Sequence, residues 1–532
     1  MPHRSPARIA LLAGTALTAT MTAALVAGCT SVVSGSGTAG TGAASPTPVS
    51  SGSGAPSVSN PPPGGGLRFG SCSGIDLGTS PAPSAFDVQC ARLSVPLDYA
   101  DPSGKQISVA LVKLHRKDSK ASTPLLMDPG GPGGSGVQFG VEIAGALPQT
   151  ITSKYDVVGF DPRGVGASTP IRCLTDAQKD ELNAAQPDVR TDAGRAEAKQ
   201  EAQQVAQACL AKYGTALDDF DTVATVRDMD RIRAAFGASH LDYLGFSYGT
   251  ELGGQYAHLF PSRVGAMVLD GAVDPLTDDI TSFASQLQGF EQAFDQFADW
   301  CRKHSPCSDL GNPREAVYQL AQKARTSPLS SSASGETRKA TSSIVLLGVL
   351  SGLYSQSFWD VLGQSLLLAQ KGDARGLFQL ADVYNERDSS GHYTNITDAN
   401  VTINCNDSKP GPTDATIQAT TDSWVTRFPM FGLWSASSLY GCQQWQPKRT
   451  VPAKPTAPDA ANTILVVGNL HDPATPYQGA KDLTNTLGKA RLLTWDGEGH
   501  TSFLQGSSCI DDAVTAYLVD NTLPASGKTC PR

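Results

Sequence analysis

Short runs of apolar and β-branched residues recur along the chain, and most of them close in glycine, proline or aspartate. They are "ISVALVKLH" (107–115), "PLLMDPGG" (124–131), "YDVVGFDPRG" (155–164), "LDYLGFSYG" (241–249), "VGAMVLDGAVDP" (264–275), "TILVVGNLHDP" (463–473) and "ARLLTWDGEGH" (490–500). Continuous apolar runs ending in turn residues predict strands covered on both faces, as in a mostly parallel sheet. Stretches between them, such as "TVATVRDMDRIRAAFG" (222–237), place apolar residues three and four apart and predict helices. Alternation of the two predicts an α/β architecture. One interval breaks the rhythm: residues 275–460 are dominated by helical pattern, as in "SQLQGFEQAFDQFADWCRKH" and "SFWDVLGQSLLLAQ". It predicts a mainly helical cap domain inserted after the sixth core strand. The α/β core is then split into residues 67–274 and 461–532.

The amino-terminal end follows a different pattern. Residues 1–28 carry Arg4 and Arg8, no acidic residue, and an apolar stretch from Ile9 to Ala27. That is a secretory signal peptide, too short and too weakly apolar for a lasting membrane span. Its end, Val26-Ala27-Gly28-Cys29, resembles the bacterial lipobox, with Cys29 as the lipidated first residue of the mature chain. Residues 29–66 are rich in Ser, Gly, Pro, Thr and Ala, bury no core, and predict a flexible tether. The expected location is outside the cell, held to the membrane through the lipid on Cys29, with a shed form as an alternative.

The cysteines fit an exported protein. Of 11, removing Cys29 leaves ten. They fall as near neighbours, and sequential pairing is the simplest proposal: Cys72–Cys90, Cys173–Cys209, Cys301–Cys307, Cys405–Cys442 and Cys509–Cys530. There are no CxxC pairs or histidine clusters, so no metal site is expected. The balance of 41 basic against 50 acidic residues, without a basic run, argues against nucleic acid as a partner.

Candidate chemistry centres on Gly245-Phe246-Ser247-Tyr248-Gly249, a G-x-S-x-G match between a strand pattern and a helix pattern. A strand turning at once into a helix crowds the backbone, so small residues are required two places either side of the serine. The helix amino terminus also favours developing negative charge there. A serine hydroxyl needs a base within hydrogen-bond reach, and in this motif the chain order is serine, acid, histidine. His500, in the glycine-bracketed loop "DGEGHTS" after the last strand, is the preferred base over His258, His304, His392 and His471. Asp472 is the preferred acid, with Asp270 and Asp274 as rivals. An oxyanion hole needs two backbone N–H donors. Tyr248 and Gly131, the latter in "DPGGPGGSG" after the third strand, are the expected pair.

The motifs "GGPGGSG" (130–136), "VGFDPRGVGAS" (158–168), "LGFSYGT" (244–250), "VLDGAVDP" (268–275), "INCND" (403–407), "HDPATPY" (471–477), "GEGHTSF" (497–503) and "SCIDDAVTAYL" (508–518) span nearly everything beyond the tether. In kind and order they resemble the secreted actinobacterial tripeptidyl aminopeptidase-like α/β-hydrolases, relatives of prolyl iminopeptidases, and above all their mycobacterial envelope-anchored carboxylesterase/protease branch. The resemblance implies an α/β-hydrolase fold and a triad of Ser247, Asp472 and His500. It also implies release of short amino-terminal peptides through an acyl-enzyme, or cleavage of small amides and esters, without a cofactor. A carboxylesterase is the nearest alternative, and a ligand-binding lipoprotein is an alternative of another class. An aminopeptidase must hold a free substrate ammonium, and Asp407 beside Cys405 is the expected part of that site, a turn beside a disulfide being its structural alternative.

Overall fold

A computed structural model of the chain describes residues 67–120 and 122–532; the signal peptide, Cys29 and the tether lie outside the described residues. The apolar runs form strands β2 (Gln106–Arg116), β3 (Thr123–Asp128), β4 (Tyr155–Phe160), β5 (Leu241–Phe246), β6 (Val264–Asp270), β7 (Ile464–His471) and β8 (Ala490–Glu498). Two further strands, β1 (Phe86–Pro96) and β9 (Thr529–Cys530), complete one nine-stranded sheet in the order β1-β2-β4-β3-β5-β6-β7-β8-β9. β2 is antiparallel to both its neighbours, and every pair from β4 to β9 is parallel. This is the α/β-hydrolase arrangement. All residues of β4 and β6 are buried, which explains why they read as unbroken apolar runs.

β1 and β9 escape the sequence pattern for different reasons. In β1, "FDVQCARLSVP", Gln89 and Arg92 interrupt the apolar run, yet all eleven residues pair with β2. β9 has two residues, joined to β8 through Thr494–Thr529 and Trp495–Cys530 and tied back by the Cys509–Cys530 disulfide. The other four disulfides are Cys72–Cys90, Cys173–Cys209, Cys301–Cys307 and Cys405–Cys442.

Between β6 and β7 the chain is helical, with Asp279–Cys301, Pro313–Thr326, Ser342–Leu353, Trp359–Gln370, Arg375–Tyr384, Ile396–Asp407 and Asp414–Arg427 as its longer helices. Phe294, Phe297, Leu362 and Leu377 are among its buried centre, and the Ser342–Leu353 helix is buried at every position. Two helices from the β4–β5 connection, Asp176–Ala184 and Asp192–Tyr213, lie beside this layer, and Val189, Ala198 and Ala202 join its apolar cluster. In the other direction, Ala399, Ile403 and Trp445 pack with the sheet-side core. The buried ion pair Lys179–Asp398 (2.7 Å) and the Asn406 amide, which donates to Leu217 O and Phe220 O, fasten the two layers. Cap and core are therefore interlocked rather than joined at a single seam.

Candidate active site

The serine sits where the backbone is most constrained. Ser247 precedes the Tyr248–Leu259 helix with φ 54° and ψ −124°, a left-handed region unusual for a side-chain-bearing residue. The close packing that holds it there explains its glycines. A Cβ on Gly245 would lie 2.4 Å from Gly249 O, and one on Gly130 would lie 2.9 Å from Ser247 Cβ and 2.8 Å from Tyr248 N. The Ser247 N–H donates to Asp270 O at 2.9 Å, and its carbonyl accepts from Thr250.

His500 and Asp472 are brought together by the loops after β8 and β7. His500 Nδ1 lies 2.9 and 3.0 Å from the two Asp472 oxygens. Asp472 is held in turn by the N–H groups of Ala474, Thr475 and Thr501 and by the Thr475 hydroxyl. A carboxylate so fully supplied with donors is fixed in orientation, and it fixes the imidazole tautomer with Nδ1 protonated. Burial pulls the His500 pKa down, but the charge and hydrogen bond of Asp472, with a push from Asp270, outweigh it, so the pKa lies above the usual 6.5. His500 also touches the cap: its N–H donates to Tyr354 O at 2.7 Å, and the two rings meet edge to face at 5.5 Å. Among the described residues no hydrogen bond joins Ser247 Oγ to His500; such contacts commonly close only when substrate is bound. Both residues flank Asp270–Gly271, since a Cβ on Gly271 would lie 3.3 Å from His500 Cε1.

The rival residues have other partners. Asp274 Oδ1 accepts the Leu276 N–H, a turn bond. His471 faces Asp496 at 3.3 Å, His258 meets Thr456 O, His304 meets Trp300 O and His392 meets Asp176. Asp270 Oδ2 accepts the N–H groups of Ser502 and Phe503 rather than the imidazole.

Gly131 and Tyr248, the expected oxyanion pair, lie on the two loops that meet at Ser247, where a Cβ on Gly130 would be 2.8 Å from Tyr248 N. Among the described residues neither N–H donates to a protein acceptor. Gly131 has φ 117°, a conformation that only glycine adopts without strain, and Gly130 (φ 95°) lies against the nucleophile turn.

Asp407 ends the Ile396–Asp407 helix, and its two oxygens accept from Thr222, from N at 3.1 Å and Oγ1 at 2.7 Å. Thr222 Oγ1 bonds the buried Tyr248 hydroxyl, so Asp407 reaches the nucleophile's helix through Thr222. Burial, and after it the charge of Glu251, push the Asp407 carboxyl well above the carboxylate range. No local pattern marks Glu251 in the sequence; the spacing Ser-x-x-x-Glu puts it one helical turn beyond Ser247. It makes no hydrogen bond among the described residues, and burial with nearby Asp279 pushes it up to about 7. Among the described residues no group of three His, Cys, Asp or Glu side chains is arranged to hold a metal ion.

Residues 428–530 match the family described as TAP-like protein. The chain is 38% identical to serine protease Hip1 of Mycobacterium tuberculosis over 465 residues, covering 83% of this chain and 87% of that protein. It is 37% identical to carboxylesterase B of the same organism over 452 residues, with 83% and 86% covered. It is 31% identical to the tripeptidyl aminopeptidase of Streptomyces lividans over 453 residues, covering 83% of each.

Proposed function

The chain belongs to the tripeptidyl aminopeptidase-like family of α/β-hydrolases, and from that premise we propose an exported serine aminopeptidase that releases short peptides from free amino termini. The observation that carries the reading is the Asp472–His500 pair beside the strained turn of Ser247. Ser247 Oγ attacks the scissile carbonyl while His500 Nε2 takes its proton. The N–H groups of Gly131 and Tyr248 hold the resulting oxyanion, and the imidazolium, stabilised by Asp472, protonates the leaving amine. Water then attacks the acyl ester while His500 takes its proton, and His500 passes that proton to Ser247 Oγ as the ester bond breaks and the peptide acid leaves.

Glu251, with Asp407 beside it, is the proposed partner for the substrate ammonium. Its position one turn beyond the nucleophile suits a substrate only a few residues long on the acyl side. The five disulfides support an oxidising, extracytoplasmic location, and Cys29 is the proposed lipid anchor to the membrane. The likeness to carboxylesterase B favours one second reading, an esterase of short-chain esters.

A soluble form starting near Leu67, with Ser247→Ala as control, separates the two. Its initial rates are compared on free-amine tripeptide anilides, N-blocked anilides and p-nitrophenyl esters. Fast turnover of the free-amine anilides alone, lost in the control, supports the aminopeptidase. Rapid ester cleavage with negligible anilide cleavage moves the assignment to esterase. In the first case Asp407→Asn cuts anilide turnover more than ester turnover; equal losses leave Asp407 a purely structural residue.

A further inference from the structure

Asp270 closes β6, is 0% exposed, and touches both halves of the proposed site through different atoms. Its backbone oxygen accepts the Ser247 N–H at 2.9 Å. Its Oδ2 accepts the N–H groups of Ser502 at 3.0 Å and Phe503 at 2.7 Å, immediately beyond the histidine. Oδ1 is buried and has no hydrogen-bond partner among the described residues. The charged or titratable groups facing this carboxylate are Asp472 from the β7 loop and His500 from the β8 loop.

We infer that Asp270 is a positioning residue that sets the separation of nucleophile and base, its carbonyl fixing the Ser247 turn and its carboxylate fixing the loop of His500. The inference rests on the hydrolase reading above. A purely structural bracket would not require a charge, because one amide oxygen has the two lone pairs needed to accept both N–H groups. Burying a carboxylate is costly without full pairing, and here one oxygen goes unpaired. The charge has a use beside an imidazole that becomes positive during each half-reaction. Burial pushes the Asp270 carboxyl up to about 6, the two N–H groups oppose this, and Asp472 adds to it. Above that pH it is ionised, and its negative charge favours the imidazolium form of His500.

The test follows the rate at which a fluorophosphonate modifies Ser247 from about pH 5 to about pH 9, in wild type, Asp270→Asn and Asp270→Ala, with thermal midpoints alongside. Asp270→Asn keeps both loop bonds and removes the charge. It is expected to fold like wild type, with the acid limb of its labelling profile moved about one pH unit lower. Asp270→Ala loses the bracket, and its labelling at about pH 8 is expected to fall about 100-fold, the scale of a 1 Å misplacement. An Asn variant whose acid limb coincides with wild type overturns the inference, as does an Ala variant that reacts at the wild-type rate. If the Ala variant does not fold, the Asn profile decides alone. A wild type that resists the reagent at every pH, like Ser247→Ala, overturns the hydrolase reading and this inference with it.

Discussion

Asp128 ends β3 beneath the nucleophile turn and is 1% exposed. Its Oδ1 accepts the Gly130 N–H at 2.9 Å, and Oδ2 has no hydrogen-bond partner among the described residues. Burial pushes its carboxyl up to about 8, against the Gly130 bond and with help from the charge of Asp161. At neutral pH it is therefore a protonated acid, and Asp128→Asn is close to a neutral exchange. The sign follows from the raised value. Stability from this residue is complete below the unfolded value of 3.8 and is lost as pH rises through about 8. Across that window the unfolded chain releases the proton and the folded chain keeps it, at about 1.4 kcal/mol per pH unit. From about pH 5 to about pH 8 the wild type should thus lose about 4 kcal/mol relative to Asp128→Asn, which has nothing to titrate. Urea unfolding of both proteins at the two pH values measures the difference directly. Parallel stability curves would refute the reasoning. In ester turnover the Asn variant should stay within about threefold of wild type, because its amide oxygen still accepts from Gly130. Asp128→Ala leaves that N–H without its acceptor and should lose about 100-fold.

Further outcomes follow from the same geometry. His500 must be neutral to act as base, so the acid limb of kcat/KM on a p-nitrophenyl ester should lie above 6.5, and an acid limb at or below that value would contradict the Asp472 assignment. Glu251, pushed up to about 7, must be ionised to hold an ammonium; KM for free-amine anilides should rise as pH falls below about 7 while KM for esters does not. Gly499 has φ 98°, and a Cβ there would lie 2.9 Å from Tyr354 O, the acceptor for the His500 N–H. Gly499→Ala should therefore cut ester turnover at least about tenfold by displacing the histidine loop, with a wild-type rate counting against the cap contact. Replacing Cys405 and Cys442 by serine opens a link of sequence separation 37 and should cost about 4 kcal/mol in urea unfolding.

What could be read in the sequence is what local pattern carries. Seven strands announced themselves as apolar runs, unbroken where burial covers both faces as in β4 and β6, whereas β1 hides behind Gln89 and Arg92 and β9 is two residues long. The serine turn was legible because its crowding demands glycines at fixed offsets. Glu251 and Tyr354 were not, since one side chain and one carbonyl gain meaning only from what packs against them. The two aspartates at strand ends make the same point. Asp270 is the last residue of β6 and Asp472 the first beyond β7, and as aspartates at neighbouring strand ends they are rivals in the sequence. The sheet order separates their duties. Ser247 follows β5 and His500 follows β8, three strand spacings or about 14 Å away. The histidine loop has to return across the ends of β7 and β6 to bring its base toward the serine. Asp472, at the first crossing, takes the imidazole and the Thr501 N–H; Asp270, at the second, takes the N–H groups of Ser502 and Phe503. Each carboxylate catches successive residues of one loop, so the roles of acid and bracket follow from which strand the loop crosses first.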